Sequence, residues 1–219
     1  MKVLVVDDHP LMAEALALAL QSLQGGAIVE TAQELDGAMR LAGAAPAPDM
    51  VLLDLGLPGC SGLEALHRFR ERFPALPVVV VSASSEIPAI LSALDLGAMG
   101  YIPKNSPREV IVNAVRLIAA GGIYIPSEAV ASRPLASHAS FSATRTSRLT
   151  AKDLGLSPRQ ADVLALLLKG LPNKLIARTL AISENTVKAH VSAVLRALGV
   201  TSRTHALIAA SRLGLRLDS

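Results

Sequence analysis

Three aspartates follow two short apolar runs: Asp7 and Asp8 come directly after Lys2–Val6, and Asp54 comes directly after Met50–Leu53. If those runs are neighbouring strands of one parallel sheet, the three carboxylates converge in one pocket. Like charges held that close repel and raise one another's pKa. A hard cation such as Mg2+ relieves the repulsion, because it takes oxygen ligands and retains several waters. Ser82 closes a further run, Val78–Val81, and Lys104 closes Gly100–Pro103. A carboxylate nucleophile, a magnesium site, a hydroxyl and an ammonium together make a phosphoryl-transfer site. On this reading Asp54 attacks phosphorus and becomes an acyl phosphate. Mg2+ and Lys104 offset charge on the phosphoryl oxygens, and Ser82 hydrogen-bonds toward the phosphoryl group. Singly, each residue has an ordinary use as a turn, cap or solvated surface group; the argument rests on complementary groups at four strand ends.

The elements that must position these groups are legible in residues 1–125. β-Branched runs at Lys2–Val6, Ala27–Thr31, Met50–Leu53, Val78–Val81 and Gly100–Pro103 alternate with helix-like segments at Leu11–Leu23, Glu34–Leu41, Leu63–Phe73, Pro88–Leu96 and Pro107–Ala120. Continuously apolar runs suit strands buried on both faces. Five such units predict a doubly wound α/β domain with a five-stranded parallel sheet, whose sites lie at the carboxyl ends of the strands. Ser106 is the expected N-cap of the last helix, with Pro107 at its first position and Gly121–Gly122 at its end.

Charge divides the chain. Residues 1–125 carry a net −5, residues 126–150 a net +2 and residues 151–219 a net +6. Residues 126–150 are rich in Ser, Ala, Thr, Arg and Pro without apolar periodicity, and read as a flexible linker. With 51% apolar residues the chain can bury real cores. A single cysteine, Cys60, excludes an intrachain disulfide and a cysteine-rich zinc site, and suits a reducing, cytoplasmic setting. The start lacks the length and cleavage site of a signal peptide. No apolar run of about 18 residues is free of charge or proline, so no transmembrane helix and no membrane partner are expected.

Residues 151–219 read as all-helical. Ser157-Pro158 opens a helix to about Lys169, ended by Gly170. Asn173 to Leu180 is a short helix, Ala181-Ile182-Ser183 a tight turn, and Ser183 caps a helix to about Leu198. Thr201 or Ser202 caps a last helix to about Leu213. Short helix, three-residue turn and longer helix make a helix-turn-helix. Leu164, Leu167, Leu168, Ile176, Leu180, Val187, Val191, Val194 and Leu198 have core spacing. Lys188, His190 and Arg196 lie on the longer helix, Lys174 and Arg178 on the shorter one, and Arg203 opens the last. A compact basic helical domain of this kind points to double-stranded DNA: side chains near the start of the second helix read bases, and flanking cations grip phosphates.

These motifs resemble known families. Val5-Val6-Asp7-Asp8-His9-Pro10, Leu52-Leu53-Asp54-Leu55-Gly56-Leu57-Pro58-Gly59, Ser82-Ala83 and Tyr101-Ile102-Pro103-Lys104 resemble two-component receiver domains, which are flavodoxin-like, over about residues 1–120. The resemblance implies that Asp54 is the phosphoacceptor. It implies that Asp8, Asp54 and the backbone carbonyl of Gly56 bind Mg2+, with Asp7 acting through water. Ser82 and Tyr101 take the places of the switch hydroxyl and aromatic. Residues 156–206 are similar to the LuxR-type helix-turn-helix, through Ser157-Pro158-Arg159, Val163-Leu164, Gly170, Asn173-Lys174, Ile176-Ala177, Ile182-Ser183, Thr186-Val187-Lys188, Leu198-Gly199-Val200 and Ser202-Arg203-Thr204. That likeness implies that Lys188 faces DNA, Ala189 and Ser192 face the major groove, and Thr186, Lys174 and Arg203 reach toward phosphate. Gln160, Asp162, Pro172, Leu175 and Ala197 depart from its usual residues.

Together the halves resemble a NarL/FixJ-type regulator rather than an enzyme. The resemblance implies that a sensor histidine kinase phosphorylates Asp54, that the protein then forms a homodimer, and that promoter binding follows. Two other readings are open. A phosphorylation-independent DNA binder would use the receiver as a protein-docking module. An aspartyl-phosphate hydrolase of the haloacid-dehalogenase type would need a second carboxylate two residues after its nucleophile, where this chain has Gly56.

Overall fold

The computed structural model describes residues 1–23, 26–132 and 153–200, and residues 202, 203, 205, 206, 209 and 210 beyond them. Five strands, β1 (Lys2–Val6), β2 (Ile28–Ala32), β3 (Met50–Asp54), β4 (Val78–Ser82) and β5 (Gly100–Pro103), alternate with helices α1 (Pro10–Gln21), α2 (Leu35–Gly43), α3 (Gly62–Arg72), α4 (Ile87–Asp95) and α5 (Arg108–Ala119). All pairings are parallel, in the order β2-β1-β3-β4-β5. The expected doubly wound sheet is therefore present, with each strand within a residue of its predicted bounds.

Strand alternation explains the continuous apolar runs. Val3, Val5, Leu52, Val79, Val81 and Ile102 point to one face, against Leu16 and Leu20 of α1 and Val115 and Ile118 of α5. Leu4, Val6, Val51, Leu53, Val80 and Tyr101 point to the other, against Ala38 of α2, Leu66 and Phe69 of α3 and Ile90 of α4. In β3 and β4, and in β1 after Lys2, where both faces are covered, the residues stay apolar until the carboxyl end, where the chain leaves the core; the outer strand β2 carries Glu30 and Thr31. The order β2-β1-β3 reverses the winding at β1 and β3, which opens a crevice at their carboxyl ends. Asp7, Asp8 and Asp54 stand there.

Two expectations change. Pro107 itself is the N-cap of α5, with an extended φ of −56° and ψ of 149° and no side-chain cap, so Ser106 lies outside the helix and Pro107 is not its first turn. The segment read as linker also begins with structure: Ser127–Ser132 forms helix α6, and Ala129 is buried in the core cluster beside α4. Tyr124 precedes it along the open edge of β5, where its carbonyl accepts from the Tyr101 N–H and its N–H donates to the Met99 carbonyl. The edge strand is thus covered rather than left as a template for pairing. The remainder of the expected linker lies outside the described residues.

The C-terminal half contains α7 (Pro158–Leu168), α8 (Asn173–Leu180) and α9 (Glu184–Ala197). Ser157 caps α7 as expected, and a capping box completes it: the Gln160 N–H donates to Ser157 Oγ, and Gln160 Oε1 accepts from the Ser157 N–H. Gln160 therefore does at this position what a glutamate would do. Ser183 caps α9 by accepting from the Thr186 N–H. Between α8 and α9, Ala181 takes a left-handed conformation, φ 53° and ψ 44°, which makes the turn tight. Leu164, Leu167, Ile176, Val187, Val191 and Val194 are buried, and Leu168, Leu180 and Leu198 pack half-buried against them. Ser202 Oγ accepts from the His205 N–H at the start of the last expected helix, whose end lies outside the described residues.

Candidate functional site

Asp7 and Asp54 are almost fully buried, and Asp8 is partly open. Lys104, delivered by the end of β5, joins them: its Nζ lies 2.7 Å from Asp54 Oδ2 and 2.8 Å from Asp7 Oδ2. The other Asp54 oxygen, Oδ1, accepts from the Gly56 N–H at 3.0 Å. The loop passes so close here that a side chain at Gly56 would begin 3.2 Å from Asp54 Oδ2, so glycine leaves that oxygen accessible. Asp7, Asp8 and Asp54 come together as the sequence predicted, with Lys104 among them and Gly56 beside Asp54.

Burial opposes the charge on Lys104, but its hydrogen bond to Asp54 and its pairing with Asp7 outweigh that, so its pKa stands above the ordinary 10.5. A raised pKa means that the pairing stabilises the fold in full below that ordinary value and is lost as pH rises through the folded one. In chelator-containing buffer, urea unfolding between pH 9 and pH 11.5 is therefore expected to destabilise the wild type more steeply than Lys104→Met (a pH range set by the ordinary lysine value of about 10.4). Parallel pH profiles for the two proteins would contradict the pairing.

The donor set fits a hard divalent cation. Asp7 Oδ2 and Asp8 Oδ1 are buried and accept no aligned hydrogen bond. Ligand atoms of Asp7, Asp8, His9 and Asp54 lie within 4.8 Å of one another. Carboxylates in this number leave negative charge that a single ammonium does not balance. His9 is the site residue that the sequence reading passed over: its Nδ1 lies 2.8 Å from Asp8 Oδ1 and 3.4 Å from Asp7 Oδ1. The signal available was its place directly after two aspartates, at the N-cap of α1.

Ser82 ends β4, the strand paired with β3, and Asp54 is in register with Val81. Its hydroxyl accepts from the Ser84 N–H at 3.2 Å. Tyr101 is fully buried rather than the half-buried strand residue its position alone suggests, and its hydroxyl donates to the Ser84 carbonyl at 2.7 Å. Hydroxyl and aromatic are thus tied to the same β4–α4 loop.

In the helical half, α9 turns its predicted base-reading positions toward the sheet domain. Lys188 Nζ donates to the Pro48 carbonyl at 3.3 Å. Ala189 and Ser192 line a small cavity with Ala42, Ala47, Phe73 and Pro74. On α8, Asn173 donates to the Ala75 carbonyl. Lys174 is exposed, and Thr186 pairs its hydroxyl with that of Ser183 at 2.7 Å, next to the helix start. Arg203 does not meet its expectation. Its guanidinium donates to the carbonyls of Leu167, at 3.2 Å, and Leu171, at 2.6 Å. Burial lowers its pKa to about 10. The last carbonyls of a helix lack partners within it, and Arg203 is turned inward to serve that end instead of reaching out to phosphate.

Comparison with known proteins places both halves. A family model described as response regulator receiver domain matches residues 3–116, and one described as bacterial regulatory proteins, luxR family, matches residues 154–210. The chain is 39% identical to the glycerol metabolism activator of Pseudomonas putida, over 95% of this chain and 94% of that one. It is 36% identical to the nitrate/nitrite response regulator protein NarL of Escherichia coli K12, over 94% and 93%. Among solved structures, a two-component response regulator of the LuxR family from Aurantimonas aligns with a TM-score of 0.54 at 30% identity, over 59% of this chain and 92% of that one.

Proposed function

Because this chain belongs to the response regulators that join a receiver domain to a LuxR-type helix-turn-helix domain, we propose that it is a transcription regulator whose DNA binding is set by phosphorylation of Asp54. The supporting observation is the convergence of Lys104 on Asp54 and Asp7 at 2.7 and 2.8 Å. A carboxylate oxygen of Asp54 attacks the phosphorus of a phosphohistidine on a sensor kinase. A P–O bond forms as the P–N bond breaks, and the imidazole leaves with a proton. The Lys104 ammonium offsets charge on the transferred group. Asp8, Asp54 and the Gly56 carbonyl would hold Mg2+, with Asp7 behind them; bound there, the ion neutralises charge on phosphoryl oxygens.

The switch follows from local charge acting on a two-state element. Ser82 and Tyr101 both hold the loop that leads into α4, through Ser84. A phosphoryl group that draws on the Ser82 hydroxyl breaks its bond to the Ser84 N–H and alters that loop. In the arrangement described, Lys188 and Ser192 are half-buried and Ala189, though exposed, lines the same cavity as receiver residues, so the receiver stands across part of the face that would meet DNA. Phosphorylation is proposed to release this face and to favour a homodimer that binds paired half-sites from the cytoplasm. Among the described residues, no helix is long and apolar enough to cross a membrane. Genome-wide mapping of bound DNA tests the proposal: wild type is expected to occupy discrete promoters under inducing conditions, and Asp54→Asn to lose most of them. Identical maps would favour a receiver that serves only as a docking module.

A further inference from the structure

Between the receiver and the helical half lies a cavity of about 430 Å³. That is within the roughly 300–1,000 Å³ range of small-molecule sites. Its apolar wall comes from both sides, including Met50, Met99 and Ile118 of the receiver and Leu175 and Val191 of α8 and α9. Four cations also line it, Arg70, Lys174, Lys188 and Arg203, against two carboxylates, Asp49 and Glu184. Among the described residues, none of the four is ion-paired with a carboxylate. Asp49 is itself engaged, accepting from the Lys2 N–H.

The two arginines sharpen the imbalance. Arg70 is 3% exposed and donates to the carbonyls of Phe73, Pro74 and Leu76. Its Nε, like that of Arg203, is buried without a hydrogen-bond partner. Burial lowers both guanidinium pKa values to about 10, and neither arginine is ion-paired with a carboxylate among the described residues. Buried cations without counter-charge are costly, and a bound anion relieves that cost. The complement of an apolar wall with surplus cations is an amphipathic anion.

We propose that this interdomain cavity binds a small amphipathic acid, an aromatic or aliphatic body bearing one carboxylate- or sulfonate-type head, and that the occupant holds the two halves together. Because Lys174 and Lys188 line the same cavity, an occupant withdraws them from DNA. This consequence rests on the DNA-binding reading; the binding itself does not.

The test uses the full chain and the aromatic sulfonate 8-anilinonaphthalene-1-sulfonate, with the uncharged N-phenyl-1-naphthylamine as a control of similar body. The sulfonate is expected to bind saturably with one site per chain, about tenfold more tightly than the neutral compound (a factor of ten corresponding to about 1.4 kcal/mol). Leu175→Trp and Ala119→Trp fill the cavity from opposite sides at positions that are not fully buried, and each is expected to weaken sulfonate binding by a similar factor. Equal affinity for the neutral compound, or unchanged sulfonate affinity in both folded variants, overturns the site. Saturating sulfonate is further expected to weaken binding of a labelled duplex. If the duplex binds equally with and without it, the coupling falls; if the chain binds no duplex even after treatment with acetyl phosphate and Mg2+, the DNA-binding reading falls while the cavity assignment stands on the first arm.

Discussion

Asp54→Asn is expected to abolish phosphoryl uptake. With acetyl phosphate and Mg2+, the wild type gains the mass of one phosphoryl group and the variant gains none, a loss of at least about a thousandfold in rate, the scale on which removing a covalent nucleophile acts. The physical reason is specific. The amide keeps the size and one acceptor oxygen of the carboxylate, so the Gly56 N–H retains a partner, but it has no anionic oxygen to attack phosphorus. Lys104 still holds Asp7 at 2.8 Å, so the pocket keeps its frame. The variant should therefore melt close to the wild type while remaining unlabelled. Labelling of Asp54→Asn at the wild-type rate would place the acceptor elsewhere.

Lys188→Glu is expected to carry the second largest effect, on DNA. A lost contact from a recognition helix costs on the order of 1–3 kcal/mol, about 5- to 150-fold in affinity, and loss of a phosphate contact lowers the salt slope by about one. Reversal of charge beside the phosphate backbone places the effect toward the upper end. Electrophoretic or anisotropy titration of a promoter fragment at several salt concentrations reads both quantities. Lys188 is half-buried, and its partner in the structure is the Pro48 carbonyl, so the substitution leaves the helical core intact. Arg203→Ala is expected to behave differently. It strips donors from the Leu167 and Leu171 carbonyls, so it lowers the stability of the helical domain before it touches DNA contacts. A weakened duplex affinity for Arg203→Ala at unchanged melting temperature would restore it as a phosphate contact.

These two residues also mark what the sequence could and could not convey. Asp7, Asp8, Asp54, Ser82 and Lys104 were legible because they stand where an apolar strand gives way to polar residues, and a parallel sheet gathers such ends at one edge. Ser157 and Ser183 were legible because capping is a local preference. Arg203 was not, because its partners are carbonyls more than thirty residues earlier in the chain. Helix α6 was hidden for a similar reason: its Ser- and Ala-rich stretch carries no periodicity, and it is Ala129 packing near α4 that gives the segment a place. Tyr101 pointed to a strand, but its complete burial and its bond to the Ser84 carbonyl depend on the loop across from it. The facing of α9 toward Pro48 and Pro74 is longer-range still, since it joins two bodies that have separate cores.

The central claim is that charge added at Asp54 governs access to the face of α9. It is tested most directly by measuring the affinity of the purified full-length chain for one cognate promoter fragment, with and without acetyl phosphate and Mg2+, in wild type and in Asp54→Asn. The wild type is expected to bind at least about tenfold more tightly after phosphorylation, a shift of about 1.4 kcal/mol, and Asp54→Asn to remain at the unphosphorylated value in both conditions. Equal affinity of phosphorylated and unphosphorylated wild type would contradict it.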